Sequence, residues 1–542
     1  MGNNILLGLG LCLVIWIMSV YFRNIYFLHM LQLEEYNTNN YISWIKNQGR
    51  NKVFTLKQII NIIITAIFIV IYSFKTINIV LYIGMAVWAI TIIYSIDFKK
   101  KEVKKPLVYT KRAKRLCLCS YVLLVILFGI FVLLFKIKTV NLLLILLWMS
   151  VLYFYVPYNM ALASVCMKPI ENRINKYYYD MAYNKVRKFE NLKIVGITGS
   201  FGKTTTKFIT NQILKQKYNV LMTPNSFNTP MGISKVVNNT LSNEHEAFVV
   251  EMGARKIGEI EEVAKLANPK IGVLTSIGPT HLETFKNLEN ISKTKYELIE
   301  ELPTDGIAIF NYDNNYIKKL ADKTFKEKIL YGLDDVENLD LFAQDIKVFD
   351  KGSIFTLKDK EGNSIVCKSK LLGKHNISNL LAGAAVARAL GLTFEEIRRG
   401  IETVEPVPHR LQLIDPGTGV IVIDDAFNSN PVGCKAALDV ISNFKEGNKI
   451  VVTPGMVELG LEEDEANKEF GHNMAEVCDY IILVGRKKTQ PIYEGLKEKS
   501  FDMSKVFVVN SLNEATVRLQ SIVRPKDVVL FENDLPDTFN EN

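Results

Sequence analysis

The first third of this 542-residue chain is short of charge. Residues 1–22, 58–74, 76–96, 116–135 and 139–167 contain no Asp, Glu, Lys or Arg. A soluble domain keeps a polar face on each surface helix, so successive runs like these argue against one. Each run is about long enough to cross the roughly 30 Å hydrocarbon layer as a helix, and five spans are expected. No basic residue precedes Ile5 and further spans follow, which excludes a cleaved signal peptide. Cysteine is scarce as well: seven, at 12, 117, 119, 166, 367, 434 and 478, with only Cys117 and Cys119 close together. They offer neither a zinc ligand set nor a disulfide framework. Internal repeats and low-complexity tracts are missing. With so little charge inside the spans, a transporter would have few groups from which to build a polar path.

The charge that is present orients the spans. Asp97–Arg115 holds nine Lys or Arg against two acids, and Arg23–Lys57 holds five basic residues. The other connections, around Lys75 and from Lys136 to Lys138, are very short. The positive-inside rule therefore puts both long loops and the large C-terminal part in the cytoplasm, with the N-terminus outside the plasma membrane. The formal net charge of +9 is largely this juxtamembrane excess. It favours anionic lipid headgroups of the bilayer and gives no reason to expect nucleic acid.

Residues 196–206, Gly-Ile-Thr-Gly-Ser-Phe-Gly-Lys-Thr-Thr-Thr, follow the apolar run Leu192–Val195 and precede a stretch of helical spacing. Strand, glycine turn and helix are the setting of a phosphate-binding loop, in which backbone N–H groups and the helix dipole converge on phosphate oxygens. Gly199, Ser200, Phe201, Gly202, Lys203, Thr204 and Thr205 would hold ATP, with Lys203 on the outer phosphates and Thr204 within reach of Mg²⁺. The glycines stand at 196, 199 and 202, so the general spacing, which wants Gly at 197, is not met literally.

From Leu192 onward apolar runs alternate with helical periods. Strands are expected at Asn219–Met222, Ala247–Met252, Ile271–Thr275 and Gly306–Asn311, with helices at Lys235–Leu241, Lys256–Leu266 and Leu288–Leu302. This is a mainly parallel α/β sheet. Short alternating runs at 341–370 predict a small antiparallel extension, closed by helices near Ile377–Leu390 and Thr393–Val404. A stiff Glu405–His409 linker leads to a second α/β unit with strands near Val420–Asp424, Lys449–Thr453, Tyr480–Val484, Val506–Val509 and Asp527–Phe531. That unit has no glycine fingerprint of its own and is expected to complete a site rather than bind a dinucleotide. The expected division is a helical membrane region at 1–160, a helical connector at 161–191, an ATP-binding α/β domain at 192–405 and a Rossmann-like α/β domain at 406–542.

Several polar clusters fall where strands should end, the usual place for ligands in open α/β sheets. Glu251 ends one apolar strand and suits Mg²⁺ binding. His281 follows the next strand and is a candidate cation ligand. Lys293-Thr-Lys295-Tyr-Glu297, taken alone, reads as a solvated helical face. Asn376 reads as a helix cap. Pro408-His-Arg410, Asp424-Asp-Ala-Phe-Asn-Ser-Asn-Pro431 and Glu458-Leu-Gly460 are ambiguous one at a time, since Asn-x-Asn-Pro is commonly turn and cap chemistry.

Together these motifs resemble the Mur ligases, the ATP-dependent amide ligases of peptidoglycan precursor synthesis, and most of all the branch that adds D-alanyl-D-alanine. The resemblance rests on Thr198–Thr206, Asn225–Ile233, Glu251–Gly253, Ile277–Glu283, His375–Asn379, Pro408–Arg410 and Asp424–Pro431, and covers roughly residues 192–535. It implies that ATP phosphorylates a carboxylate of a muramyl peptide and that an amine attacks the resulting acyl phosphate. By the same resemblance Lys203 and Thr204 hold phosphates and Mg²⁺, and Glu251 and His281 bind metal. Lys295 becomes a metal-binding carbamate, so that Lys203, Glu251, His281 and Lys295 form the catalytic group. Asn379, Arg410 and Asp425 contact the nucleotide. Asn228 and Thr229 face the acceptor, with Asn428 and Asn430 also on the substrate side.

Two departures stand out. Soluble members begin with a domain that grips the UDP-sugar nucleotide, and here membrane spans occupy that place. The chain also ends in the acidic run Phe531–Asp537, unlike the basic ending of the soluble enzymes. A lipid-linked or polymeric acceptor such as poly-γ-glutamate therefore stands beside the muramyl peptide, and the amine is either an amino acid or a dipeptide. A membrane scaffold or ATP-driven transporter is the alternative of another class.

Overall fold

The computed structural model describes residues 2–47, 53–74, 78–96, 105–134, 142–225, 227–427 and 429–535. Residues 97–104 of the basic segment, the two short connections and Asn428 lie outside the described residues. The chain divides into two compact units, built mainly from Met1–Ile174 and Asn175–Leu535.

The first unit is helical: α1 (Gly2–Leu33), α2 (Thr38–Asn47), α3 (Leu56–Phe74), α4 (Asn78–Tyr94), α5 (Lys111–Leu134) and α6 (Leu142–Val186). Among the described residues, each charge-free run expected to span is almost wholly helical. Four of the helices (α1, α3, α5 and α6) are long and apolar enough to cross a membrane, and α4, with 17 residues, is shorter. The expected connector begins inside α6, which runs through Pro157 and Pro169 without a break. Trp16, Phe27, Tyr41, Trp88 and Leu146 lie in the bundle core. Side-chain hydrogen bonds cross it: Ser120 Oγ donates to Asn24 Oδ1 at 2.7 Å, and Trp88 Nε1 donates to Ser150 Oγ at 2.7 Å. The outer surface stays apolar, with Leu7, Leu118, Val125 and Leu133 all strongly exposed.

The second unit carries two sheets. The first is built on β1 (Lys193–Thr198), α7 (Lys203–Leu214), β2 (Val220–Met222), α8 (Pro230–Asn239), β3 (Ala247–Glu251), α9 (Glu259–Ala267) and β4 (Ile271–Leu274). It continues through α10 (Leu288–Glu300), β5 (Ile307–Asn311), α11 (Asn315–Asp322), β6 (Lys328–Gly332), β7 (Leu341–Phe349), β8 (Gly352–Asp359), β9 (Ser364–Ser369), α12 (Lys374–Ala389) and α13 (Phe394–Glu402). The strand order is β2-β3-β1-β4-β5-β6-β7-β8-β9, parallel as far as β7 and antiparallel across β7, β8 and β9. Alternation divides the strands between two cores: Ile194, Phe248 and Val250 enter one, while Val195, Ile197 and Val249 enter the other. Helices cover both faces, which is why these strands are apolar throughout. Each fully buried aliphatic side chain contributes about 1.5–3 kcal/mol.

Two helices start elsewhere than their periodicity predicts. Thr229 caps α8 by accepting the Gly232 N–H, and Pro230 takes the first helical position, so the helix begins before Lys235. Gly258, at φ +88°, delays α9 to Glu259. The segments α11 and β6 complete an α/β repeat that was not expected.

The second sheet contains β10 (Gln412–Ile414), β11 (Ile421–Asp425), α14 (Pro431–Ser442), β12 (Lys449–Thr453), α15 (Glu463–Val477), β13 (Tyr480–Val484), α16 (Gln490–Glu498), β14 (Val506–Val509), α17 (Leu512–Ile522) and β15 (Val528–Glu532). Its order is β10-β11-β15-β12-β13-β14, with only the short, unexpected β10 antiparallel.

Candidate active site

The turn between β1 and α7 needs two glycines. Gly199 has φ +155°, and a Cβ there would lie 2.2 Å from Thr275 Oγ1. Gly202 has φ +77°, and a Cβ would lie 2.5 Å from Asn379 Oδ1. The loop after β4 supports the turn from below: the Ser200 N–H donates to Ser276 O at 2.7 Å, and Ser200 Oγ donates to Gly278 O at 2.9 Å. The Phe201 N–H donates to Ser276 Oγ at 2.8 Å. Lys203 folds back and donates to the carbonyls of Gly199 at 2.7 Å and Ser200 at 3.0 Å. Burial brings its ammonium down to about 8, with Arg410 adding to the effect and Glu251 opposing it. Thr204 and Thr205 open α7, half-buried.

One turn along α7 lies a residue that sequence reading missed. Lys207 is 0% exposed and its Nζ lies 3.0 Å from Glu251 Oε2, with Glu251 itself 2% exposed. Lys207 also donates to the carbonyl of Asn225. Asn228 Nδ2 donates to the other Glu251 oxygen at 3.1 Å. Burial pushes the Glu251 carboxyl up, but the charges of Lys207 and Lys203 and the two side-chain hydrogen bonds outweigh it and hold it below the usual range. A signal was available. Lys207, Thr210, Asn211 and Leu214 are spaced as one helical stripe and all are buried.

Lys295 was reached only through the resemblance. Ile291, Lys295, Leu298 and Ile299 form the buried stripe of α10, so the lysine lies on the core side. Burial pulls it down to about 7, and the neighbouring Lys203 lowers it further against Glu297 and Glu259. It has no hydrogen-bonded or carboxylate partner among the described residues; its Nζ lies 5.9 Å from the centre of the Phe285 ring. His281 sits in left-handed backbone at φ 50°, and its Nδ1 is 2.9 Å from Glu458 Oε2. The His281 bond holds Glu458 below the usual carboxylate range.

On α12, Asn379 Oδ1 accepts from Thr206 Oγ1 at 3.3 Å, and Asn379 Nδ2 donates to Asn376 Oδ1 at 3.0 Å. The Arg410 guanidinium lies 4.1 Å from the centre of the Phe427 ring. Burial lowers it, while Asp425 and Glu251 favour its charge. Lys203, Lys207, Glu251 and Arg410 are therefore one electrostatic group, and Lys295 and Asp425 couple to it. Asp425 accepts the Leu411 N–H at 3.2 Å and is pushed up to about 6 by burial. It stands opposite Glu532 on β15. Glu532, part of the acidic ending, is buried, accepts from Ser429 Oγ at 2.6 Å, and is pushed well up by burial and by Asp425. Asn430 caps α14 by accepting the Gly433 N–H at 2.8 Å, so Asn430 and Thr229 both have local capping tasks.

Among the described residues no three His, Cys, Asp or Glu side chains gather around a common point. One ionised carboxylate, one imidazole and one uncharged-capable lysine fit a small hard cation only if most of its oxygens arrive with a nucleotide. Such a donor set is compatible with Mg²⁺.

A glycine turn and lysine between a parallel strand and a helix, with an arginine from a second α/β domain beside that lysine, form the arrangement of a two-domain protein with its candidate site between two sheets. Two family models locate it further: the Mur ligase middle domain matches residues 197–387, and the Mur ligase glutamate ligase domain matches residues 409–532. The chain belongs to the Mur ligase family. The UDP-N-acetylmuramoyl-tripeptide--D-alanyl-D-alanine ligase of Escherichia coli K12 is 32% identical over 303 residues, 56% of this chain and 66% of that protein. The ligase of the same name from Bacillus subtilis is 33% identical over 342 residues, 63% of this chain and 72% of that protein. Among solved structures, MurF from Acinetobacter baumannii gives a TM-score of 0.61 at 26% identity, covering 67% of this chain and 78% of that one. MurF ligase from Thermotoga maritima in complex with ADP gives 0.59 at 26% identity, covering 66% and 80%. The chain spans about two thirds of the length of the curated relatives it matches, and both family matches lie in the second unit.

Proposed function

We propose that this protein is an ATP-dependent, ADP-forming amide ligase of peptidoglycan precursor synthesis that adds a D-alanyl-D-alanine-type dipeptide to a muramyl peptide. The observation that carries this reading is the group Lys203, Glu251, Lys295 and Arg410, gathered around a phosphate-binding loop in a chain whose relatives bear that name.

The acceptor carboxylate takes the γ-phosphoryl group of ATP and releases ADP. The amine attacks the acyl carbon, loses a proton, and the tetrahedral intermediate expels inorganic phosphate as the amide forms. Positioning and charge stabilisation supply most of the rate in such a sequence. Lys203 leaves its own loop carbonyls for the outer phosphates. Arg410, Asn379 and Asp425 bind the nucleotide. Asn228 and Thr229, with Asn428 and Asn430, line the substrate side, and the bond between Asn228 and Glu251 ties the acceptor loop to the phosphate site. Thr204, Glu251, His281 and Lys295 as its carbamate would hold Mg²⁺. The cation neutralises charge on the phosphates when bound. Lys295 can meet carbon dioxide as a neutral amine, because burial favours that form.

The helical unit is the membrane part of this reading. Its apolar outward side chains are suited to lipid contact. We place five spans in the plasma membrane, with the N-terminus outside and the ligase domains in the cytoplasm, close to a lipid-linked acceptor or a membrane-bound partner enzyme. ATP-dependent ligation with UDP-muramyl tripeptide, its lipid-linked form and poly-γ-glutamate as acceptors tests the assignment. Product from a muramyl acceptor with D-alanyl-D-alanine is expected. ATP-dependent product from poly-γ-glutamate alone would replace the substrate, and no ligation with any acceptor would remove the enzymatic reading.

A further inference from the structure

Glu458 belongs to no part of the reaction described so far, yet it makes a side-chain bond between the two α/β domains. It lies 177 positions from His281, on the loop that follows β12 in the C-terminal domain. Both residues are held firmly. The Met456 N–H donates to Asn467 Oδ1 at 2.8 Å, Asn467 Nδ2 returns a bond to Met456 O at 3.0 Å, and Asn533 Nδ2 donates to Gly455 O at 2.7 Å. Leu459 is buried beside them. On the other side, the carbonyl of His281 accepts the N–H groups of Thr284 and Phe285, each at 3.0 Å. Glu458 and His281 both have positive φ, 67° and 50°, so each side chain leaves the backbone at a turn.

A carboxylate on Nδ1 fixes an imidazole in one form: the proton stays on Nδ1 and the lone pair stays on Nε2. Metal-binding histidines depend on such a partner for orientation and basicity. We infer that Glu458, from the C-terminal domain, is the positioning residue for His281 in the middle domain, presenting its Nε2 to a divalent cation through a single hydrogen bond. The inference rests on the proposed cation role of His281.

The test uses the full-length protein in detergent with a non-hydrolysable ATP analogue. Free Mn²⁺ is followed by electron paramagnetic resonance, and nucleotide affinity is measured separately. Glu458→Ala is expected to weaken Mn²⁺ binding about 10- to 100-fold, the loss typical of such partners, with nucleotide affinity measured without metal changing less than threefold. Glu458→Gln keeps an oxygen acceptor for the Nδ1 proton and is expected to recover most of the affinity. Thermal unfolding checks that each variant is folded, and Glu458 is exposed enough for both to be tolerated. If His281→Ala weakens Mn²⁺ binding but Glu458→Ala does not, Glu458 has no positioning role and the inference falls while the His281 assignment stands. If His281→Ala itself leaves Mn²⁺ binding unchanged, the cation role of His281 fails first. Loss of nucleotide affinity without a change in Mn²⁺ affinity would reduce Glu458 to a domain latch and overturn the inference.

Discussion

Replacing Lys207 with methionine removes one charge from the centre of the fold and almost no volume. The Lys207 and Glu251 side chains are 0% and 2% exposed and 3.0 Å apart, so water cannot replace the lost partner. Breaking one side of a buried pair costs about 3–5 kcal/mol, because the remaining charge stays desolvated. For a domain of this size each kcal/mol lowers Tm by about 2–4 °C, so Lys207→Met should lower the transition of the second unit by on the order of 10 °C. The pH dependence supplies a second check. In the native protein Glu251 is held below its usual range, so its contribution is present above the unfolded value of about 4.3 and fades as the pH falls through the folded one. Without Lys207 burial is opposed only by the charge of Lys203 and the bond from Asn228, and Glu251 rises. The carboxyl then takes up a proton as the pH is lowered, and the deficit of the variant should shrink. Lys207→Met combined with Glu251→Gln should recover most of the loss, since the amide can still accept from Asn228. Thermal unfolding of the full-length protein at pH 5.5 and 7.5 measures all of this. A loss below about 1 kcal/mol at pH 7.5, the range of exposed ion pairs, would show that the pair is solvated and would refute the reasoning.

Lys203→Ala should abolish ATP-dependent ligation with the Tm of the helical unit unchanged, because alanine leaves the outer phosphates without their counter-charge; near-normal turnover would remove the phosphate-loop reading. Lys295→Ala should lose most activity and be rescued in part by short carboxylates, while bicarbonate should restore the wild type after carbon dioxide depletion; full activity in Lys295→Arg would sink the carbamate. With Lys295 at about 7, its neutral fraction rises as pH increases through that value, so carbamate formation and reactivation should both increase from pH 6 to 8. A chain beginning at Pro169 should keep activity on a soluble acceptor and lose it on a lipid-linked one, since basic residues such as those of Lys99–Arg115 are worth about 1 kcal/mol each near an anionic surface; equal rates on both acceptors would leave the spans with location alone.

Much of the second unit was legible because its strands are buried on both faces and bounded by glycine and polar turns, which leaves short apolar runs at regular intervals. The glycine turn between β1 and α7 was legible because a tight strand-to-helix turn demands glycine at set places, and Gly199 and Gly202 do occupy positions where a Cβ would collide. Lys207 was legible at most as one place on the α7 stripe with Thr210, Asn211 and Leu214; Thr-Thr-Thr-Lys-Phe looks like the solvated start of a helix, and its partner Glu251 is brought against it only by β3. Lys295 shows the same difficulty in milder form: a charged pair beside a glutamate reads as surface, although Ile291, Leu298 and Ile299 put it on the buried stripe. Glu458 could be noticed as a motif, but its partner is a tertiary fact, set by how two domains meet. Helix starts failed for local reasons, where a cap with proline or a glycine at positive φ outweighed hydrophobic period. The helical unit was legible as five apolar runs, whereas the continuity of α6 through two prolines was not, because proline is expected to interrupt a helix.

The sign of the charge at the candidate site helps to explain why its residues are arranged as they are. Lys203, Lys207 and Arg410 face one carboxylate held below its usual range, Glu251, while burial pushes Asp425 up to about 6 and raises Glu532 well above its usual value. Such a site favours anions and opposes a free divalent cation. In the low dielectric of the cleft that bias is worth more than it would be in water. The phosphates of a bound nucleotide would reverse it, and so would the proposed carbamate on Lys295, which exchanges a potential cation for an anion at the same atom. Burial of Lys295 serves this exchange: it weakens the ammonium form that blocks reaction with carbon dioxide, and it outweighs the opposing charges of Glu297 and Glu259. In the proposed reaction the same cationic excess would draw in the nucleotide and keep the carbamate ionised. Nucleotide, carbamate and cation would then depend on one another through charge, without any of them requiring a prebuilt cluster of acids.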